Sequence, residues 1–317
     1  MIAPPVFTDE DMAELRRMNA RLAFAPRVRM KTWASRRISH LVVLLLETFY
    51  SKGVGKTGVT VETRSIIALG KRISIRILRP PGKLRGVHLD IHGGGWCAGN
   101  AKMNDQPNAA LAAACQVAVV SVEYGRAPEC SIHELIDQCE AVAVWLSENV
   151  AREFKADRMT IGGDSAGAHL AACVLLRRPR RFRAALLWYG VYDLAGSKGL
   201  REAPRNALVF HAPTMLACLR LLTPHMSDEE RRAGDISPLF ADLKGMPPAL
   251  LISGMKDPLH TESVQLYAKW RAAGADTRLL EVPEAGHAFN RLHIELSRKT
   301  EGYAHAWLSN YFSAVSQ

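Results

Sequence analysis

No C-x-x-C pair occurs among the six cysteines of this 317-residue chain, Cys97, Cys115, Cys130, Cys139, Cys173 and Cys218. Several fall in apolar helical stretches. They read as buried free thiols of a reducing compartment, which excludes a disulfide framework. Long hydrophobic runs are missing too: Leu41-Val42-Val43-Leu44-Leu45-Leu46 is the longest and is far too short to span a bilayer. The opening Met1-Ile2-Ala3-Pro4-Pro5 lacks the charged and apolar blocks of a secretory signal. A cytoplasmic protein with no stable membrane span is the expectation. There is no Walker lysine and no G-x-G-x-x-G to make a phosphate cradle. No metal ligands cluster, so neither a metal nor a cofactor is expected. Internal repeats and low-complexity linkers are also absent.

What is present is an ordinary globular composition, 48% hydrophobic and 23% charged, on a chain long enough to bury a large core. The formal net charge of +10 is partly local. Arg16, Arg17, Arg21, Arg27, Arg29, Lys31, Arg36 and Arg37 crowd the amino-terminal segment, and Arg177, Arg178, Arg180, Arg181 and Arg183 form a second cluster. Such charge attracts nucleic acid or anionic surfaces in some proteins. No nucleic-acid-binding motif accompanies it here, so no nucleic-acid partner is expected. The second cluster falls where a helix should end, a place that suits cations.

Residues 8 to 50 read as mostly helical, with Thr8 or Asp9 capping a first helix. Two strands follow, near 58–63 and 72–78; the second alternates Arg and Ser with Ile, the period of a half-exposed antiparallel strand. From residue 86 the pattern changes. Short apolar runs at 86–91, 117–122, 158–162, 184–189, 249–253 and 277–282 alternate with helices near 108–114, 132–149, 168–176, 261–273 and 294–312. That alternation implies an α/β fold with a mainly parallel central sheet flanked by helices. It pauses between about 195 and 243, which reads as an insertion above the sheet. One core with two accessory pieces fits better than two independent domains.

The chemistry centres on Gly163-Asp164-Ser165-Ala166-Gly167, a G-x-S-x-G run between a strand and a helix. That setting is a nucleophile elbow, in which a strained turn lifts the Ser165 hydroxyl above the sheet edge. The alternative is a glycine-rich turn whose serine merely caps the helix. A serine nucleophile needs a base, and the base an orienting carboxylate. Asp257 and His287 both follow strands, at the sheet edge where ligand sites form, in the chain order Ser, acid, His. Asp193 is the competing acid. His260, at a helix start, is expected to face solvent. His169 is expected to pack and Glu281 to be structural. His92-Gly93-Gly94-Gly95-Trp96 offers backbone N–H groups that a substrate oxygen can approach closely. His92 is read as bracing this loop, and Trp96 either lines the acyl pocket or packs.

At these residues the sequence resembles the hormone-sensitive-lipase-like α/β-hydrolase esterases. The resemblance runs from about 84 to 313 and covers the His92 loop, the Ser165 elbow, Asp257-Pro258-Leu259 and the His287 loop. It implies an α/β-hydrolase fold with a helical cap: residues 1–50 and the insertion 196–240 as cap, 51–195 and 241–317 as core. It implies a serine carboxylic ester hydrolase acting on short- to medium-chain acyl esters through Ser165, Asp257 and His287. Gly94, Gly95 and Ala166 would be the oxyanion donors, with Gly93 adjoining. Tyr124-Gly125-Arg126-Ala127-Pro128-Glu129 departs from the Tyr-Arg-Leu-Ala-Pro-Glu common in relatives, and its arginine is shifted. The Gly-Asp-Ser-Ala-Gly-Ala-His-Leu run also resembles arylformamidases, so a formyl amide or lactone substrate stays open, as does a non-catalytic ligand-binding role. The partner expected is a small-molecule ester. Phe49, Leu208, Phe210, Met215 and Leu216 could wall the pocket, and an apolar cap leaves a homodimer open.

Overall fold

The computed structural model describes residues 2–23, 57–204 and 211–313. Eight strands form one sheet in the order β1-β2-β4-β3-β5-β6-β7-β8. They are β1 (Thr60–Ala68), β2 (Lys71–Arg79), β3 (Val87–Ile91), β4 (Ala118–Glu123), β5 (Met159–Asp164), β6 (Ala185–Trp188), β7 (Ala249–Gly254) and β8 (Thr277–Val282). The β1–β2 and β2–β4 pairs are antiparallel; every later pair is parallel. The change falls where the sequence changes. In β2, Ile73, Ile75 and Ile77 are buried, whereas β3 is buried at every position. Strands covered on both faces read as continuous apolar runs, and those covered on one face alternate.

The covering helices are α1 (Asp9–Leu22), α2 (Asp105–Cys115), α3 (Ile132–Phe154), α4 (Ala166–Arg177), α5 (Ala212–Leu222), α6 (His260–Ala272) and α7 (Glu295–Ser309). Thr8 caps α1 and Ser131 caps α3, each in a reciprocal capping box with Asp11 and Glu134. On one face, α3 and α4 pack on Ile75, Leu89, Val120 and Leu187. On the other, α2 and α7 bury Leu78, Val119, Leu186, Leu250 and Ile252. Helix α1 docks against α7 through Leu15 and through Asp11, which meets Lys299 Nζ at 2.6 Å.

The insertion between β6 and β7 contains the short helical turn Lys198–Arg201, then α5, the turn Asp228–Arg231 and a 3₁₀ turn at Pro238–Phe240. Met215, Cys218, Leu219 and Leu222 of α5 are buried, and Leu216 is partly so. Phe49, Leu208 and Phe210 lie outside the described residues. No helix among the described residues is long and apolar enough to cross a membrane. Part of the basic excess is neutralised within the fold. Arg177, the last residue of α4, meets Asp137 and Glu140 at 2.8 Å, and Arg178 meets Glu140 at 2.7 Å.

Candidate active site

Strand β5 runs at the middle of the sheet and ends in the elbow. Ser165 takes φ 55° and ψ −117°, and its side chain makes no capping bond to α4. The helix-cap alternative is therefore not what this side chain does. The flanking glycines are required by close approach: a Cβ on Gly163 or Gly167 would collide with the Ile91 carbonyl at the end of β3. The Ser165 amide donates to Trp188 O at 2.9 Å, which ties the turn to β6.

Asp257 and His287 follow β7 and β8. His287 Nε2 lies 3.0 Å from Ser165 Oγ, and His287 Nδ1 lies 2.7 Å from Asp257 Oδ2. The separations in sequence are 122 and 30 residues, so only the tertiary fold makes these contacts. An ionised carboxylate can only accept, so Nδ1–H is the donor to Asp257 and Nε2 is left to accept from the hydroxyl. Asp257 Oδ1 accepts the Leu259 amide at 2.9 Å, which fixes the carboxylate. The Tyr189 ring meets the imidazole edge-on at 4.8 Å. All three side chains are buried, at 6% exposure for Ser165, 4% for Asp257 and 8% for His287.

The His92–Trp96 loop packs against the elbow. Gly94 has φ 115°, and a Cβ there would collide with Ala98 O. Its carbonyl accepts the Ala98 amide at 3.0 Å and the Cys97 amide at 3.3 Å, folding the loop into a tight turn. The Gly93 amide is used internally, donating to Asp164 Oδ1 at 3.2 Å. Among the described residues, the amides of Gly94, Gly95 and Ala166 donate to no protein group. Ala166 opens α4, where unpaired amides and the helix dipole favour negative charge. Helix α5 lies over this loop, since a Cβ on Gly95 would sit 3.5 Å from Cys218 Sγ.

The competitors have other partners. Asp193 meets Arg232 at 3.2 Å and accepts the Ala195 amide at 2.9 Å. His260 does not face solvent as expected. It begins α6 but is only 18% exposed, with Nε2 3.2 Å from Glu281 Oε1. The cause is the adjoining strand β8, which presents Glu281 across from Ser253. His169 packs inside the elbow helix: Trp96 Nε1–H donates to its Nδ1 at 3.2 Å, and its Nε2 meets Ile236 O at 2.7 Å. Burial holds the His169 pKa down at about 4, so the ring is neutral. Trp96 is fully buried and therefore packs. His92 stacks on Tyr124 at 4.2 Å, and Tyr124 Oη–H donates to His92 O at 2.7 Å. Arg126, the shifted arginine, donates to Gly99 O at 3.0 Å and so holds the far end of the same loop.

The chain that carries this strained serine, imidazole and carboxylate at one sheet edge is similar to known proteins in sequence and in fold. A sequence profile of the family described as alpha/beta hydrolase fold matches residues 88–291. The chain belongs to the α/β-hydrolase family. Carboxylesterase NlhH of Mycobacterium tuberculosis is 31% identical over 231 residues, covering 68% of this chain and 71% of that protein. Among solved structures, a bacterial heroin esterase superposes with a TM-score of 0.85 at 23% identity, covering 96% of this chain and 98% of that one. An esterase of Pyrobaculum calidifontis gives 0.82 at 22% identity, covering 93% and 97%. At those identities the two structures bear on the fold of this hydrolase alone. The family profile and the curated carboxylesterase bear out the resemblance read from its motifs.

One contact beside the site escaped the sequence reading. Asp164 and Arg291 meet at 3.3 Å, between the elbow and the turn that follows His287. The position of Arg291, four residues after His287, was the only available signal.

Proposed function

We propose that this chain is a serine carboxylic ester hydrolase in which Ser165 is the nucleophile, His287 the general base and acid, and Asp257 the orienting carboxylate. The observation that carries this reading is the continuous chain of contacts from Ser165 Oγ to His287 Nε2 at 3.0 Å and from His287 Nδ1 to Asp257 Oδ2 at 2.7 Å. Likeness to a carboxylesterase over two thirds of the chain supports an ester as substrate.

In the acylation step Ser165 Oγ attacks the ester carbonyl carbon while His287 Nε2 takes the hydroxyl proton. The carbonyl oxygen becomes an oxyanion beside the amides of Gly94, Gly95 and Ala166. When the tetrahedral species collapses, the C–O bond to the alcohol breaks and His287 returns the proton to the leaving oxygen. A water molecule then repeats the sequence: His287 takes its proton, hydroxide adds to the acyl carbon, and Ser165 leaves with the proton restored. Asp257 stays ionised throughout and stabilises the imidazolium. The buried setting strengthens each of these interactions relative to water. Residues 1–50 and 196–240 are proposed as the cap. Helix α5 abutting Gly95 supports that role for the insertion.

Hydrolysis of p-nitrophenyl acetate and butyrate tests the reading. Ser165→Ala is expected to lose at least about 10⁴-fold in kcat, as removal of a triad member does. Equal rates for the two proteins would refute it. A chain-length series, run beside N-formylkynurenine and a lactone, sets the acyl preference.

A further inference from the structure

We propose that Arg291 is a positioning residue for this reaction: through Asp164 it holds the nucleophile elbow, the oxyanion loop and the histidine loop in one register. The proposal rests on the ester-hydrolase reading above.

Asp164 immediately precedes the nucleophile. Its Oδ1 accepts the Gly93 amide at 3.2 Å and Asn104 Nδ2 at 3.0 Å, and its Oδ2 lies 3.3 Å from Arg291 Nη2. Arg291 closes the 3₁₀ turn Phe289–Arg291. Its other bonds run to Met103 O at 3.2 Å and to Asn104 Oδ1 at 2.5 Å. One carboxylate and one guanidinium thus join three segments that are far apart in sequence: the elbow, the β3–α2 connection that holds both Gly93 and Asn104, and the turn after His287. The fit is tight on the oxyanion side, where a Cβ on Gly93 would lie 2.6 Å from Asp164 Oδ2.

Burial works against the arginine charge, and Asp164, Tyr189 and Asp90 together more than offset it, so the guanidinium pKa is raised. A partly buried pair with satisfied hydrogen bonds has directional geometry, and removing one partner leaves the other uncompensated. The backbone from His287 to Arg291 is anchored at both ends, by Asp257 at one and Asp164 at the other. Releasing the Arg291 end frees the imidazole to drift from Ser165, and frees Gly93 to drift from the elbow. Neither residue belongs to the proposed triad or supplies a proposed oxyanion donor, so turnover should suffer and ground-state binding should not.

A cavity of about 40 Å³ borders Asp164 and Arg291, with Asp90, Asn108, Glu301 and His305 among its walls. That space is large enough for water. A shorter or apolar side chain at 291 would leave Asp164 within reach of solvation, so the variant should fold.

The experiment compares wild type, Arg291→Met, Arg291→Lys, Asp164→Asn and the Arg291→Met/Asp164→Asn double variant on p-nitrophenyl butyrate. Rates are normalised to sites titrated with a fluorophosphonate, and the affinity of an alkyl boronic acid, which forms a tetrahedral adduct on serine, is measured beside them. Arg291→Met should lose roughly a hundredfold in kcat per titrated site, the scale of an ångström-sized misplacement, with KM within about threefold of wild type. Boronate affinity should fall with kcat, and Arg291→Lys should recover part of both. The double variant should be no worse than the poorer single one. If Arg291→Met fails to fold, Asp164→Asn and Arg291→Lys decide by the same readouts. Wild-type turnover per titrated site in the folded variants, with only the melting temperature lowered, would overturn the proposal and leave the ester-hydrolase reading intact. A wild-type protein that releases no p-nitrophenol would sink both.

Discussion

Ser165 sits in a backbone region that side-chain-bearing residues rarely adopt, and the fold sustains it by bonding its amide to β6 and by leaving no room for side chains at Gly163 and Gly167. Those glycines were legible in the sequence because sterics alone demanded them. The triad partners were legible because strand ends in a parallel sheet gather at one edge. The Asp164–Arg291 pair was not, since nothing local to either residue specifies a partner 127 positions away. Glu262 was equally invisible. It is fully buried; its Oε2 accepts the amides of Tyr192 and Asp193 at 2.5 and 2.9 Å, while Oε1 has no partner among the described residues. Burial pushes its pKa up to about 7. Between the ordinary glutamate value and about 7 the folded chain keeps a proton that the unfolded chain has lost. Folded stability from this group is therefore complete below that window, declines as pH rises through it, and levels off above. Glu262→Gln keeps the acceptor oxygen and removes the titration. Its melting temperature relative to wild type should rise between pH 5 and pH 8. A difference that stays constant over that range would contradict the assignment.

At the scale of elements, the parallel strands and their helices were readable from short apolar runs. The strand at 277–282 has the expected limits, and the others differ by a residue or two. Strand β1 is the exception. It continues to Ala68, well past the expected end at residue 63, because it pairs with β2 along its whole length. The hairpin turn is Leu69-Gly70 with φ of 47° and 73°. Two-residue turns of this kind usually carry Asn or Asp first, and leucine in a left-handed conformation gave no such signal. The oxyanion loop is the element on which turnover should depend most. Gly94→Ala places a methyl group against Ala98 O in a backbone conformation that disfavours it. The loop must shift, and loss of one donor costs about 10²- to 10³-fold in kcat. Steady-state kinetics on p-nitrophenyl butyrate should show that loss with a folded protein; turnover within about twofold of wild type would place the oxyanion elsewhere.

At the scale of the molecule, the site lies where the sheet meets the loops after β3, β5, β7 and β8, and no single segment contains it. The insertion between β6 and β7 could be located in the sequence because the βα alternation stops there. Its packing could not, because it lacks a period that says which face turns inward. Met215 and Cys218 prove to be buried, and Cys218 sits close to Gly95. The amino-terminal helix was expected, but its docking on α7 and the Arg16–Glu284 pair at 2.5 Å, three residues from His287, depend on side chains that meet only in the fold. The central claim is that these distant segments converge to make Ser165 an acyl acceptor. Acid-quenching the reaction with p-nitrophenyl butyrate during the burst and mapping the modified peptide by mass spectrometry tests it most directly. A butyryl group on Ser165, absent in Ser165→Ala, is the predicted result. Turnover with the acyl group on another residue would contradict the account.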